Sequence, residues 1–137
     1  PCLGRTICSV ELEDLRNGLA EADVALAILF GSRATNRATP KSDWDVGVIA
    51  GPGVDLLALE MKLSRSVGGQ VDLVDLRRAT PLLCQAALRD GVVVHDRTGS
   101  ELAMFASLTL RRYADTAKLR KAQEESLIRF VEQRGSR

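Results

Sequence analysis

Histidine occurs once in this chain, as His95, and cysteine three times, as Cys2, Cys8 and Cys84, with no CxxC pair among them. A structural zinc site draws its ligands from paired Cys and His residues, so that class of protein is excluded. An odd number of irregularly spaced cysteines fits a reducing compartment, and the cytoplasm is the expected location. No apolar run reaches the roughly 18 residues of a membrane helix, and no signal-peptide pattern is visible, so no membrane association is expected. Nor does one sign of charge dominate. Nineteen basic and eighteen acidic residues leave a net charge of +1, a balance that argues neither for nor against nucleic acid as a whole-molecule partner; direct nucleic-acid binding is not expected. Internal repeats and low-complexity segments are also missing.

What is present is an ordinary globular composition, 45% hydrophobic and 27% charged over 137 residues, enough for one domain. Leu12, Leu15, Leu19 and Ala22 recur at helical spacing behind Ser9, a candidate cap. "VALAILF" (24–30) is a continuous apolar run that stops at Gly31, as expected of a strand buried on both faces. "WDVGVIA" (44–50) reads as a second strand, closed by Gly51-Pro52-Gly53. A helix over 55–67 ends at Gly68-Gly69, and the alternating "QVDLVDL" (70–76) is a third strand with Asp72 on one face. Thr80-Pro81 opens a further helix, "VVVHD" (92–96) is a short strand, and 100 to about 133 is helical, with its spacing broken near Tyr113-Ala114. The order α-β-β-α-β-α-β-α implies an α/β (α+β) fold. We expect one domain, a mixed sheet flanked by helices on at least one face, with residues 1–100 as its core. Residues 101–137 form a C-terminal helical segment, packed on that core or facing a partner. This segment is the basic part of the chain, with eight Lys/Arg against five Asp/Glu, whereas residues 1–100 carry eleven against thirteen.

The chemistry concentrates in "FGSRATNRATPKSDWDV" (30–46). Lys41-Ser42 lacks the preceding glycine of a Walker A loop. The Asp-x-Asp pair precedes its strand, whereas a haloacid-type phosphatase places the pair at a strand's C-terminal end. Asp43 and Asp45 leave the same face of the strand start, with Cα atoms about 6.8 Å apart at strand rise, close enough to share one metal ion. Two such anions repel unless a cation lies between them, and a hard ion such as Mg²⁺ favours carboxylates together with substrate phosphates. Gly31 permits a tight turn after the first strand. Ser32 can turn its amide and hydroxyl to an anion, the more so if a short helix begins there, and Arg33, Arg37 and Lys41 surround the turn. Asp72 adds a third carboxylate if its strand lies beside 44–50. Three carboxylates with a phosphate-binding turn are the equipment of two-metal phosphoryl or nucleotidyl transfer. Singly, a Gly-Ser is an ordinary turn and an Asp-x-Asp a solvated strand end; it is the combination that points to a site.

Gly31-Ser32, ten residues, then Asp43-Trp44-Asp45 resembles the GS-x10-D-x-D signature of the nucleotidyltransferase superfamily that includes DNA polymerase beta. The short chain, the stretch "LFGSRATNRATPKSDWDVGVI" and the position of "VDLVDL" are similar to the minimal nucleotidyltransferases (MNT), antitoxins to HEPN ribonuclease toxins. The resemblance implies a nucleotidyltransferase-like mixed sheet, ATP as co-substrate and two Mg²⁺ ions during turnover. It implies that Gly31, Ser32 and Arg33 hold the nucleotide. Asp43 and Asp45 ligate metal, and Asp72 serves as base or third ligand. Thr35-Asn36 stands where many members carry Arg-Gly, a less flexible turn, and the N-terminal "PCLGRTIC" resembles no part of the pattern.

The implied activity is transfer of AMP to a hydroxyl, a tyrosine's, on a cognate HEPN toxin, which silences the toxin. An aminoglycoside-like small-molecule transferase ranks second, because the length leaves little chain for a separate acceptor-binding domain. A non-catalytic binding antitoxin ranks third, since it has no need of clustered anions. Trp44, facing away from the acids, is expected to pack. Cys84, beside Leu82, Leu83 and Leu88, reads as core. His95 is expected to be structural or exposed rather than catalytic, while Tyr113 could contact a partner or anchor the last helix.

Overall fold

The computed structural model describes residues 9–31, 34 and 43–135. The apolar run becomes β1 (Val24–Phe30), buried at six of its seven positions. A strand so covered must be central, and the four-stranded sheet runs in the order β3-β2-β1-β4. Here β2 is Trp44–Ala50, β3 is Val71–Asp75 and β4 is Val92–Asp96. β1 is antiparallel to both β2 and β4. β2 and β3 are parallel, as the crossover through the helix between them requires.

Helices cover both faces. α1 (Ser9–Glu21) and α2 (Leu56–Val67) lie on one, where Leu15 and Leu19 of α1 and Leu59, Leu63 and Val67 of α2 bury Trp44, Val46 and Val48. α3 (Pro81–Asp90) and α4 (Glu101–Asp115) lie on the other, where Cys84, Ala87 and Phe105 close over Leu26, Ile28 and Leu76. α5 (Ala117–Gly135) follows. Leu119, Leu127, Ile128, Phe130 and Val131 of α5 are all exposed. No helix among the described residues is long and apolar enough to cross a membrane.

Local chemistry explains the boundaries. Asp55 caps α2 by accepting the Leu57 and Ala58 amides, and Gly68 ends it at φ 69°, a left-handed position suited to glycine. Thr80 caps α3 through the Leu83 amide, with Pro81 in the first turn. Asp96 takes over the capping of α4, accepting from Gly99, Glu101 and Leu102, while Ser100 makes no side-chain cap bond. Ser9, expected as a cap, is itself the first helical residue described. The expected interruption near Tyr113-Ala114 falls two residues later. There Arg120 stacks 3.6 Å over the Tyr113 ring and donates to the Tyr113 carbonyl at 2.8 Å. Strand 70–76 proves slightly shorter, at Val71–Asp75.

Candidate active site

One end of the sheet collects the acids. β1 finishes there with Phe30 opposite Asp45, and across the parallel pair Asp45 stands opposite Asp72. Alternation along β2 sends Trp44, Val46 and Val48 into the α1–α2 core and therefore turns Asp45 to the opposite face. Asp72 follows the same rule, since its neighbours Val71 and Leu73 pack on the α1–α2 side. Both carboxylates thus leave one face, on strands about 4.8 Å apart. Asp43 sits just before β2 and is exposed, while Asp45 and Asp72 are half-buried.

Gly31 closes the site from the β1 side. Its φ is 76°, and the Ala34 amide donates to its carbonyl at 3.2 Å, so the chain turns at once. A Cβ built on Gly31 would overlap the Asp45 carboxylate. Glycine is therefore demanded twice, by the left-handed backbone and by the approach of the acid. Ser32, Arg33, Thr35, Asn36, Arg37 and Lys41, singled out in the sequence, lie outside the described residues, as do Cys2 and Cys8.

The electrostatics follow from this crowding. Burial pushes the Asp45 carboxyl above its ordinary value, and the negative charges of Asp72 and then Asp43 push it further. A cation would relieve the repulsion from both neighbouring acids. Among the described residues no three His, Cys, Asp or Glu side chains converge as a ready-made cage. Mg²⁺ takes one or two carboxylates and completes its shell with water and substrate phosphates, and Asp45 beside Asp72 offers carboxylate donors of that kind. The acids form an open, oxygen-only donor set.

Other candidates are structural. Trp44 is buried in the core, and Cys84 is buried with its thiol 3.4 Å from the Leu76 carbonyl, its pKa raised by burial. His95 holds the Val24 carbonyl through Nε2 at 2.9 Å. It stands at the far end of the sheet from the acids, where Asp96 pairs with Leu26. Two recesses of about 420 and 210 Å³ flank α4, and none of the three acids lines either of them.

Three polar contacts were not singled out in the sequence. Gln70 Nε2 lies 3.3 Å from Asp72 Oδ1. Ser64 Oγ accepts the Val71 amide and Glu60 Oε2 the Leu73 amide, each at 3.0 Å. The available signal was Glu60 and Ser64 at i,i+4 beside the buried Leu59 and Leu63, polar residues bordering a core-facing stripe.

Residues 13–99 match the family model described as polymerase beta, nucleotidyltransferase. The chain belongs to that family. This nucleotidyltransferase is 34% identical over 100 residues to the protein adenylyltransferase MntA of Shewanella oneidensis, covering 71% of each chain. A solved toxin–antitoxin structure with AMP-PNP superposes with a TM-score of 0.75 at 27% identity, over 85% of this chain and 98% of that one. The tri-AMPylated S. oneidensis HEPN toxin in complex with its MNT antitoxin gives a TM-score of 0.66 at 27% identity, over 85% and 98%.

Proposed function

We propose that this nucleotidyltransferase moves AMP from MgATP to a tyrosine hydroxyl of a cognate HEPN toxin and so neutralises it. One observation carries the reading: Asp45 and Asp72 face each other beside the Gly31 turn, in a chain similar to protein adenylyltransferases. In this scheme Gly31, Ser32 and Arg33 hold the nucleotide phosphates, and Asp43, Asp45 and Asp72 hold two Mg²⁺ ions. When bound, those ions supply charge neutralisation to the transferring and departing phosphates. Asp72 helps to take the proton of the incoming hydroxyl, whose oxygen bonds to the α-phosphorus as the bond to the bridging oxygen breaks and pyrophosphate leaves. Residues 1–100 carry this chemistry. Within 101–137, α4 covers the core and α5 faces the toxin. A reaction that consumes ATP on such a partner belongs to the cytoplasm.

Labelling tests the scheme. With the cognate toxin and Mg²⁺ present, label from α-³²P-ATP should become attached to the toxin and label from γ-³²P-ATP should not. Transfer from the γ position would refute nucleotidyl transfer. Absence of label from both, with a complex still formed, would leave a contact-only antitoxin. Label on an aminoglycoside but not on the toxin would move the acceptor to a small molecule.

A further inference from the structure

β3 is an edge strand, the last in the order β3-β2-β1-β4, and its outer side is occupied in a regular way. Backbone groups of Gln70 and Leu76 face β2, since the Trp44 amide donates to the Gln70 carbonyl and the Leu76 amide to the Val48 carbonyl. By alternation Asp72 faces β2 as well, while Val71 and Leu73 point their amides outward. Both outward amides end on α2, Val71 on Ser64 Oγ and Leu73 on Glu60 Oε2. The match is metric. Residues four apart on a helix are separated by about 6 Å along its axis, and residues two apart on a strand by about 6.6 Å. The side chains of Ser64 and Glu60 therefore continue the ladder that a fifth strand would have made.

An exposed edge amide is satisfied by water, so a helix carboxylate is not needed to keep β3 hydrogen-bonded. What side-chain acceptors add is a fixed register and distance. The two amides they hold flank Asp72 on either side, and a slip of one residue would turn Asp72 to the other face of the sheet. Gln70 adds a contact to the carboxylate itself, 3.3 Å from Oδ1.

We infer that Glu60 and Ser64 are positioning residues for the transfer reaction: by clamping the outer edge of β3 they hold the Asp72 carboxylate opposite Asp45. The inference rests on the reading that Asp72 handles metal and proton. Glu60 and Ser64 need touch neither substrate nor metal.

The test compares Glu60→Ala, Ser64→Ala and Glu60→Gln with Lys62→Ala, a change on the same helix α2 that removes only the exposed ion pair to Glu21 of α1. Toxin labelling from α-³²P-ATP gives kcat, KM for ATP and the Mg²⁺ concentration for half-maximal rate; amide hydrogen exchange reports Val71 and Leu73 directly. Glu60→Ala should lower kcat about tenfold, the usual scale for loss of an outer-shell partner. It should also raise the Mg²⁺ requirement, leave KM for ATP unchanged and free the Leu73 amide to exchange. Ser64→Ala should do the same through Val71. Glu60→Gln keeps an acceptor oxygen and should restore most of the rate, and Lys62→Ala should match wild type. If Glu60→Ala fails to fold, Ser64→Ala and Glu60→Gln carry the comparison. Wild-type kcat and Mg²⁺ dependence in Glu60→Ala and Ser64→Ala, with the clamped amides released, would overturn the inference. So would fast exchange of those amides in the native protein. Full activity of Asp72→Asn is a separate result, which would remove the role of Asp72 itself.

Discussion

Gly31 and the carboxylate of Asp45 lie so close that no side chain fits between them: a Cβ on Gly31 would occupy the space of the acid's oxygen. The same glycine holds φ 76°. Substitution therefore has two separable consequences, backbone strain and displacement of the acid. Gly68 offers the control, because its φ is 69° and a Cβ there meets nothing within 4 Å. Placing an L-residue in the left-handed region costs about 1–2 kcal/mol. Gly31→Ala and Gly68→Ala should both lose unfolding free energy of that order and melt at a lower temperature. Only Gly31→Ala should also lose AMP transfer. Equal activity in the two variants would show that the Asp45 position is not critical.

Asp45 predicts a dependence on pH and metal. Its folded-state pKa is raised, first by burial and then by Asp72 and Asp43, so the folded chain binds this proton more tightly than the unfolded chain does. Its contribution to stability is present below the ordinary value of 3.8 and is lost as pH rises through the raised folded value; above that, the charged acid is a burden on the metal-free fold. Asp45→Asn should consequently melt higher than the parent at neutral pH without metal, while losing nucleotide transfer. The difference should close below the ordinary pKa. Mg²⁺ should raise the parent's midpoint more than the variant's. A parent that melts higher than Asp45→Asn in chelator at neutral pH would contradict this account.

Much of the molecule was legible because its signals are local. The buried run 24–30, the caps at Asp55 and Thr80 and the Gly68 stop each have a short-range cause, and the ten-residue gap between Ser32 and Asp43 is what singles out the candidate site. The partner of Asp72 was legible only conditionally, since strand order is a long-range property; the parallel pairing of β2 with β3 meets the condition. Glu60 and Ser64 were not legible, because a polar residue on a helix reads as solvated until the strand beside it is known. Ser100 and Asp96 show the same limit. Ser100 stands at the N-cap position of α4, yet an acid four residues earlier captures the amides.

That capture yields a prediction at the opposite end of the sheet. Burial acts to raise the Asp96 pKa, but amides of Leu102, Glu101, Gly99 and Thr98 outweigh it and the value is lowered. Here the sign reverses. The stabilisation is present above the ordinary value of 3.8 and lost as pH falls through the lowered folded value. Asp96→Ala should lower the thermal midpoint at neutral pH by an amount that shrinks on acidification, with kcat unchanged. A fall in kcat at retained stability would tie this end of the molecule to the reaction.

The two C-terminal helices should separate by function. Phe105 and Thr109 of α4 are buried, and Phe105 belongs to the core that covers Leu26 and Ile28. Removing residues from 101 onward therefore uncovers apolar surface, and such a chain should fail to fold. α5 contributes nothing comparable: its Leu119, Leu127, Phe130 and Val131 are 60%, 63%, 53% and 60% exposed. Leu127 stands three and four residues before Phe130 and Val131, which places these three side chains on one side of the helix, and exposed apolar surface of this kind marks a site of association. Arg120, stacked on Tyr113 and bonded to its carbonyl, fixes where that helix departs from α4. Truncation after Thr116 should accordingly keep the folded core and its response to Mg²⁺, while weakening capture of the toxin and slowing its labelling at limiting toxin concentration. Arg120→Ala should weaken capture less, since it loosens the departure of the helix and leaves its apolar side intact. Size-exclusion chromatography with the cognate toxin reads both variants, and undiminished complex formation by the truncated chain would assign toxin recognition to the core instead of α5.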